Sequence, residues 1–79
     1  MMGGTGEKVD EQKKFGASVR AFRIQLGISQ EELAWRADLH RTYICDVERG
    51  ARNVSLRSIY KLARALDISV GTLFSPSEY

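Results

Sequence analysis

Apolar residues in this chain recur at helical spacing from Phe15 to Phe74, and no stretch alternates apolar with polar in the manner of a strand. Phe15, Val19, Phe22 and Leu26 fall four, three and four residues apart, one stripe of an amphipathic helix, and Gly27 supplies a left-handed stop. Ser29 with Glu32 three residues on forms a capping box, which opens a second helix that turns Leu33, Ala34 and Ala37 inward and ends near Ala37. A third, short helix is predicted from about Arg41 to Arg49, with Ile44 and Val47 inward, Leu39 in the connection before it and Gly50 just past its end. Little of it besides the Tyr43, Ile44 and Val47 side needs burial, so the outer face is free to touch something. Ser55 caps a fourth helix with Leu56, Ile59, Leu62, Ala63 and Leu66 at helical spacing, and Ser69 caps a last turn or two through Phe74, stopped by Pro76. The expected fold is all-α, with five helices.

Seventy-nine residues suffice for one domain and leave no room for a catalytic domain beside a regulatory one. A core this small often gains stability from disulfides, metals or self-association. The lone cysteine, Cys45, and the lone histidine, His40, cannot form an internal disulfide or a structural zinc site, so self-association is the expected source. The chain is 43% hydrophobic and 28% charged, a globular balance, with no apolar run near the roughly 20 residues that span a bilayer. Nor do residues 1–10 hold the apolar stretch of an export signal, so a cytoplasmic protein with no membrane partner is expected. Residues 1–7, with Gly3, Gly4 and Gly6, read as a flexible leader, with order beginning near Lys8 to Lys13. The domain then spans residues 8–75, followed by a short tail at 76–79.

The net charge of +2 is small, but its distribution is informative. Both ends balance, and the surplus lies in a middle stretch whose basic residues, from Arg20 to Arg57, are all arginines, with the planar fork that suits phosphates and guanine edges. There the second and third helices are separated by only about three residues around Asp38 to His40, the spacing of a helix-turn-helix, in which the second helix of the pair enters a DNA major groove. The same spacing also occurs in bundles that bind nothing. Arg41 and Thr42 sit in the first turn of the third helix, where side chains reach base edges, and Arg41 can grip guanine bidentately. Ser29 and Gln30 open the second helix, where free N–H groups attract phosphate, while Arg52 and Asn53 follow the third helix within reach of the backbone.

Three motifs carry a resemblance: R-x-x-R-x-x-x-G-I-S-Q-E-E-L-A from Arg20 to Ala34, R-T-Y-I-x-x-V-E-R-G-x-R-N from Arg41 to Asn53, and L-A-R-A-L-D-I-S from Leu62 to Ser69. The stretch from Phe15 to Phe74 resembles the Cro and phage-repressor type of helix-turn-helix, the XRE family, and the segment from Leu39 to Leu56 is most similar to controller proteins of restriction–modification systems. The resemblance implies a compact five-helix, lambda-repressor-like domain and a homodimer bound to double-stranded DNA at a pseudo-palindromic operator. It further implies that Gln30 contacts phosphate, that Arg41 and Thr42 reach base edges, and that Tyr43, Arg52 and Asn53 contact backbone or groove, with Arg52 also reaching a base in controller-like members. Arg23 is expected to pair with Glu48, fixing the first helix to the third, and Ile68, Leu73 and Phe74 to lie at the dimer interface. Such regulators govern their own gene and the endonuclease gene, blocking RNA polymerase or contacting it. No cofactor or ligand domain is expected.

Other roles compete at several positions. Asp46 either accepts from a cytosine amino group or orients Arg41 or Arg49. Arg49 and Arg57 read as solvated charges that attract phosphate at long range, and Trp35, off the inward stripe, as a ring lying partly exposed. Cys45 has no neighbouring lysine or histidine to activate it, and His40 reads as a turn residue; no nucleophile, base and orienting acid stand at a recognisable spacing, so an enzyme is not expected. A prophage or metabolic repressor would differ in regulon rather than chemistry. An antitoxin or other protein-interaction module on the same fold is the alternative of a different class, and its mark would be an apolar outer face on the third helix or a long extra segment.

Overall fold

The computed structural model describes the backbone of residues 4–75 and the side chains of residues 10–75, and within these it is helical with no strand. The elements are α1 (Gly4–Leu26), α2 (Gln30–Ala37), α3 (Arg41–Glu48), α4 (Leu56–Ala65) and α5 (Val70–Phe74). The tail expected at 76–79 and the first three residues of the expected leader lie outside the described residues, whereas residues 4–7 of that leader belong to α1. Extending a helix already anchored by packing adds one hydrogen bond per residue ordered, so glycines at its far end do not stop it.

Local chemistry sets the helix ends. Ser29, Ser55 and Ser69 each precede a helix and accept from the backbone N–H three residues ahead, at 3.0, 3.2 and 3.0 Å respectively. Helices α1 and α3 run into Gly27 and Gly50, both left-handed, with the paired backbone bonds of a Schellman stop. The same stop closes α2 and α4 with aspartates, Asp38 at φ 58° and Asp67 at φ 60°. Asp tolerates this region better than most side-chain-bearing residues, and neither position signals its geometry as a glycine does.

Helix α1 packs against α3 and α5, α2 against α3 and α4, and α4 against α5, around a core centred on Val19, Leu33, Ile44, Leu62, Leu66 and Leu73. Gly16 makes the α1–α3 approach possible: a Cβ there would overlap the carbonyl oxygen of Val47. Three apolar expectations need correction. Leu26 is 44% exposed: the stripe that buries Phe15 and Val19 is only half covered at Phe22 and reaches solvent at Leu26, next to the stop at Gly27. Leu56 is 69% exposed, since the buried side of α4 passes through Ser58, Leu62 and Leu66. Leu73, expected at a dimer interface, has no exposed surface: it points into the core, and its carbonyl accepts from the buried Ser18 hydroxyl at 2.6 Å.

Candidate nucleic-acid interface

Helix α2 ends at Ala37 and α3 begins at Arg41, and the left-handed Asp38 makes the reversal between them so short. Ile44 and Val47 sink into the core while Arg41, Thr42 and Arg49 remain exposed and Cys45 and Asp46 half-buried. The polar outer face of α3 is thus presented away from the bundle. His40 stands at its N-cap without a side-chain capping bond.

The orientation of α3 is set from behind by an ion pair. Arg23 Nε donates to Glu48 Oε2 at 2.6 Å and its Nη2 to Oε1 at 3.0 Å, while Nη1 reaches the Ile28 carbonyl at 2.9 Å. This bidentate geometry is the strong form of a guanidinium–carboxylate contact. The side chains of Arg23 and Glu48 are only 12% and 3% exposed. The bond to Glu48 pushes the Arg23 pKa above its ordinary value, so the guanidinium stays charged. Gln30 joins the cluster, its Nε2 donating to Glu48 Oε1 at 3.0 Å. That fixes the Gln30 amide and leaves its second Nε2 proton for an outside acceptor.

A second, exposed cluster lies on the outer side. Asp46 accepts from Arg49 through Oδ1 at 2.7 Å and from Arg52 through Oδ2 at 3.0 Å. The Arg52 guanidinium also sits over the Tyr43 ring, 4.7 Å from its centroid. Hydrogen bonds from Arg49 first and Arg52 second hold the Asp46 carboxyl below its usual range, and Asp46 in turn raises the Arg49 pKa. Of the two arginines weighed as partners of Asp46, the structure therefore pairs it with Arg49 and not with Arg41, and adds Arg52, which the sequence did not link to it.

The remaining expected contacts are distributed as follows. Ser29 Oγ is engaged in capping α2, and its hydroxyl proton is free to donate. Ser29, Gln30, Glu31 and Arg41, with Arg23, line one open groove between the starts of α2 and α3. Asn53 is exposed beside Arg52, at the edge of a depression that also includes Phe15 and Phe74. Ile68 is half-buried, and Phe74 is 54% exposed with its ring 5.1 Å from that of Phe15. Trp35 is 79% exposed. Leu56 and Tyr60, one turn apart on α4, form an exposed apolar pair whose spacing in the sequence matches an inward stripe equally well.

Two short helices joined by a tight turn, the second held outward with a polar face, define a helix-turn-helix domain. Residues 19–73 match the family described as Helix-turn-helix, and the chain belongs to that family, in its XRE-type form. Its relatives include the control protein C.BamHI of Bacillus amyloliquefaciens, 54% identical over 55 residues, which are 68% of each chain. The crystal structure of the restriction–modification controller protein C.AhdI from Aeromonas hydrophila superposes with a TM-score of 0.81 at 51% identity, covering 82% of this chain and 98% of that one. A tetramer of the controller protein C.Esp1396I on its natural 35-base-pair operator gives a TM-score of 0.77 at 31% identity, over 82% of this chain and 86% of that one. Among the described residues, no helix is long and apolar enough to cross a membrane.

Proposed function

We propose that this protein is a sequence-specific transcriptional regulator of the controller kind, a homodimer that binds a pseudo-palindromic operator and governs its own gene together with a restriction endonuclease gene. The observation that carries this is the double nature of α3: Ile44, Val47 and Glu48 lock it to the bundle while Arg41 and Thr42 project outward from its first turn. In the dimer two copies of α3 enter successive major grooves, with half-site centres about 34 Å apart. Arg41 and Thr42 read base edges, and Arg52 reads beside them. Ser29, Gln30, Tyr43 and Asn53 hold the phosphate backbone and so set the register. The second copy covers Phe74 and the exposed side of Ile68, and Leu73 supports that surface from beneath. The kinship with controllers, one of them solved on its operator, supports the regulon assignment. Contact with RNA polymerase from an adjacent operator would provide activation, and the protein acts in the cytoplasm.

Selection of bound sites from a random duplex library at two salt concentrations tests the proposal, because salt dependence separates phosphate attraction from base reading. An enriched inverted repeat with half-sites one turn apart is expected. Binding that enriches nothing and vanishes at the higher salt would overturn it. On the selected site Arg41→Ala should cost about 1–3 kcal/mol and relax preference at one base pair per half-site. An equal loss on scrambled duplex would remove Arg41 from the base readers.

A further inference from the structure

We infer that Asp46 is a specificity-determining positioning residue, which holds Arg52 against the Tyr43 ring and restrains Arg49 so that neither acts as a free phosphate-seeking cation. The inference rests on the DNA-binding role proposed above and adds a function for a carboxylate that lies, unexpectedly, on the face turned toward a polyanion. Both of its oxygens are occupied, one by Arg49 at 2.7 Å and one by Arg52 at 3.0 Å. Arg52 is therefore constrained twice: its guanidinium rests on the Tyr43 ring at 4.7 Å, and one of its Nη groups is taken by Asp46. Its other N–H groups remain in a defined orientation, which is what bidentate recognition requires of an arginine on an exposed segment.

The same contact disfavours the wrong DNA. An untethered arginine can swing to whatever phosphate is near, a gain that every sequence shares and that reads nothing. Tied to Asp46, Arg49 and Arg52 together with the carboxylate present one net positive charge instead of two, and on a random duplex this lowers affinity. A negative charge beside the groove thus raises discrimination by suppressing sequence-independent attraction.

The test is Asp46→Asn, measured on a duplex carrying the selected inverted repeat and on a scrambled duplex of the same composition, across a salt series. Asp67→Asn, at the end of α4, controls for the charge change alone. The Asp46→Asn variant is expected to bind scrambled duplex several-fold more tightly, with a salt slope steeper by up to roughly 2 per protomer as two arginines are released. Binding to the repeat should stay level or weaken, so that the specificity ratio falls on the order of tenfold, whereas Asp67→Asn should raise both affinities alike and preserve the ratio. In an Arg52→Gln background the effect of Asp46→Asn on the repeat should largely disappear. If Asp46→Asn preserves the ratio as Asp67→Asn does, Asp46 contributes only charge and the inference is overturned while the DNA-binding role stands. If the unmodified protein shows no preference between the two duplexes, the DNA-binding role itself fails.

Discussion

Helix α3 carries two carboxylates, Asp46 and Glu48, each bonded to arginine, and the two clusters behave as opposites. Two residues along an α-helix is a rotation of about 200°, so one side chain faces the bundle and the other faces away. Glu48 is 3% exposed and meets an Arg23 that is 12% exposed; Asp46 is 22% exposed and meets arginines exposed by 44% and 64%. The inner pair is tied to a third group, Gln30, and meets little water. The outer cluster lies in solvent, so its bonds orient Arg49 and Arg52 while adding little to the stability of the fold. The same guanidinium–carboxylate chemistry therefore fixes the helix in one place and only orients exposed arginines in the other, and burial makes the difference.

Removing one partner from each cluster should separate them most sharply. Glu48→Ala leaves a buried guanidinium unpaired and is expected to cost about 3–5 kcal/mol in urea unfolding, a large share of the stability of so small a domain. Replacing both members at once, Arg23→Met with Glu48→Leu, should recover part of that loss, since no charge is left buried, while the Ile28 carbonyl and the Gln30 amide go without their partners. A loss undiminished in the double variant would mean that the unpaired charge is not what makes the single variant costly. Next in size is Gly16→Ala. Its Cβ meets the Val47 carbonyl, so α1 must retreat from α3, and overpacking of this kind costs about 1–3 kcal/mol or more. Because that retreat also stretches the reach of Arg23, DNA affinity should fall even where the variant remains folded. Retained full affinity would show that the orientation of α3 does not depend on this close approach.

Asp46→Asn should be the smallest perturbation of stability, lowering the unfolding midpoint only slightly at pH 7. Its pH signature follows from the depressed carboxyl pKa. A group whose pKa is lower in the folded state stabilises above its unfolded value, about 4, and that contribution is lost as pH falls through the folded value. Between pH 5 and 8 the difference between the variant and the unmodified protein should therefore be flat, narrowing only below about pH 4. Side-chain NMR titration of Asp46 checks this directly, and Arg49→Gln, which removes the largest cause of the shift, should move its midpoint upward. A midpoint unmoved by loss of Arg49 would mean that the outer cluster does not persist in solution.

Much of the fold was legible because its signals are short in range. Ser29, Ser55 and Ser69 cap helices through bonds to residues three ahead, and Gly27 and Gly50 stop them through bonds three to five residues back. Such contacts are set by neighbours along the chain, so a local pattern names them. The outward position of Arg41 and Thr42 followed likewise from the inward spacing of Ile44 and Val47, and the resemblance supplied the partner of Arg23. What the sequence left open were the features that depend on where helix axes cross. Leu56 and Leu73 sit on equally apolar patterns, yet one is 69% exposed and the other fully buried, because α4 and α5 meet the bundle on sides that spacing does not specify. Ser18 finds its acceptor 55 residues away, Gly16 owes its necessity to the end of a different helix, and Asp46 chooses Arg52 over Arg41 because the chain turns back beyond Gly50. Caps, stops and the identity of the outward helix belong to the chain alone. Which apolar side chains are covered, and which charges meet, was decided only when five short helices packed, since distance in space is set there and not along the sequence.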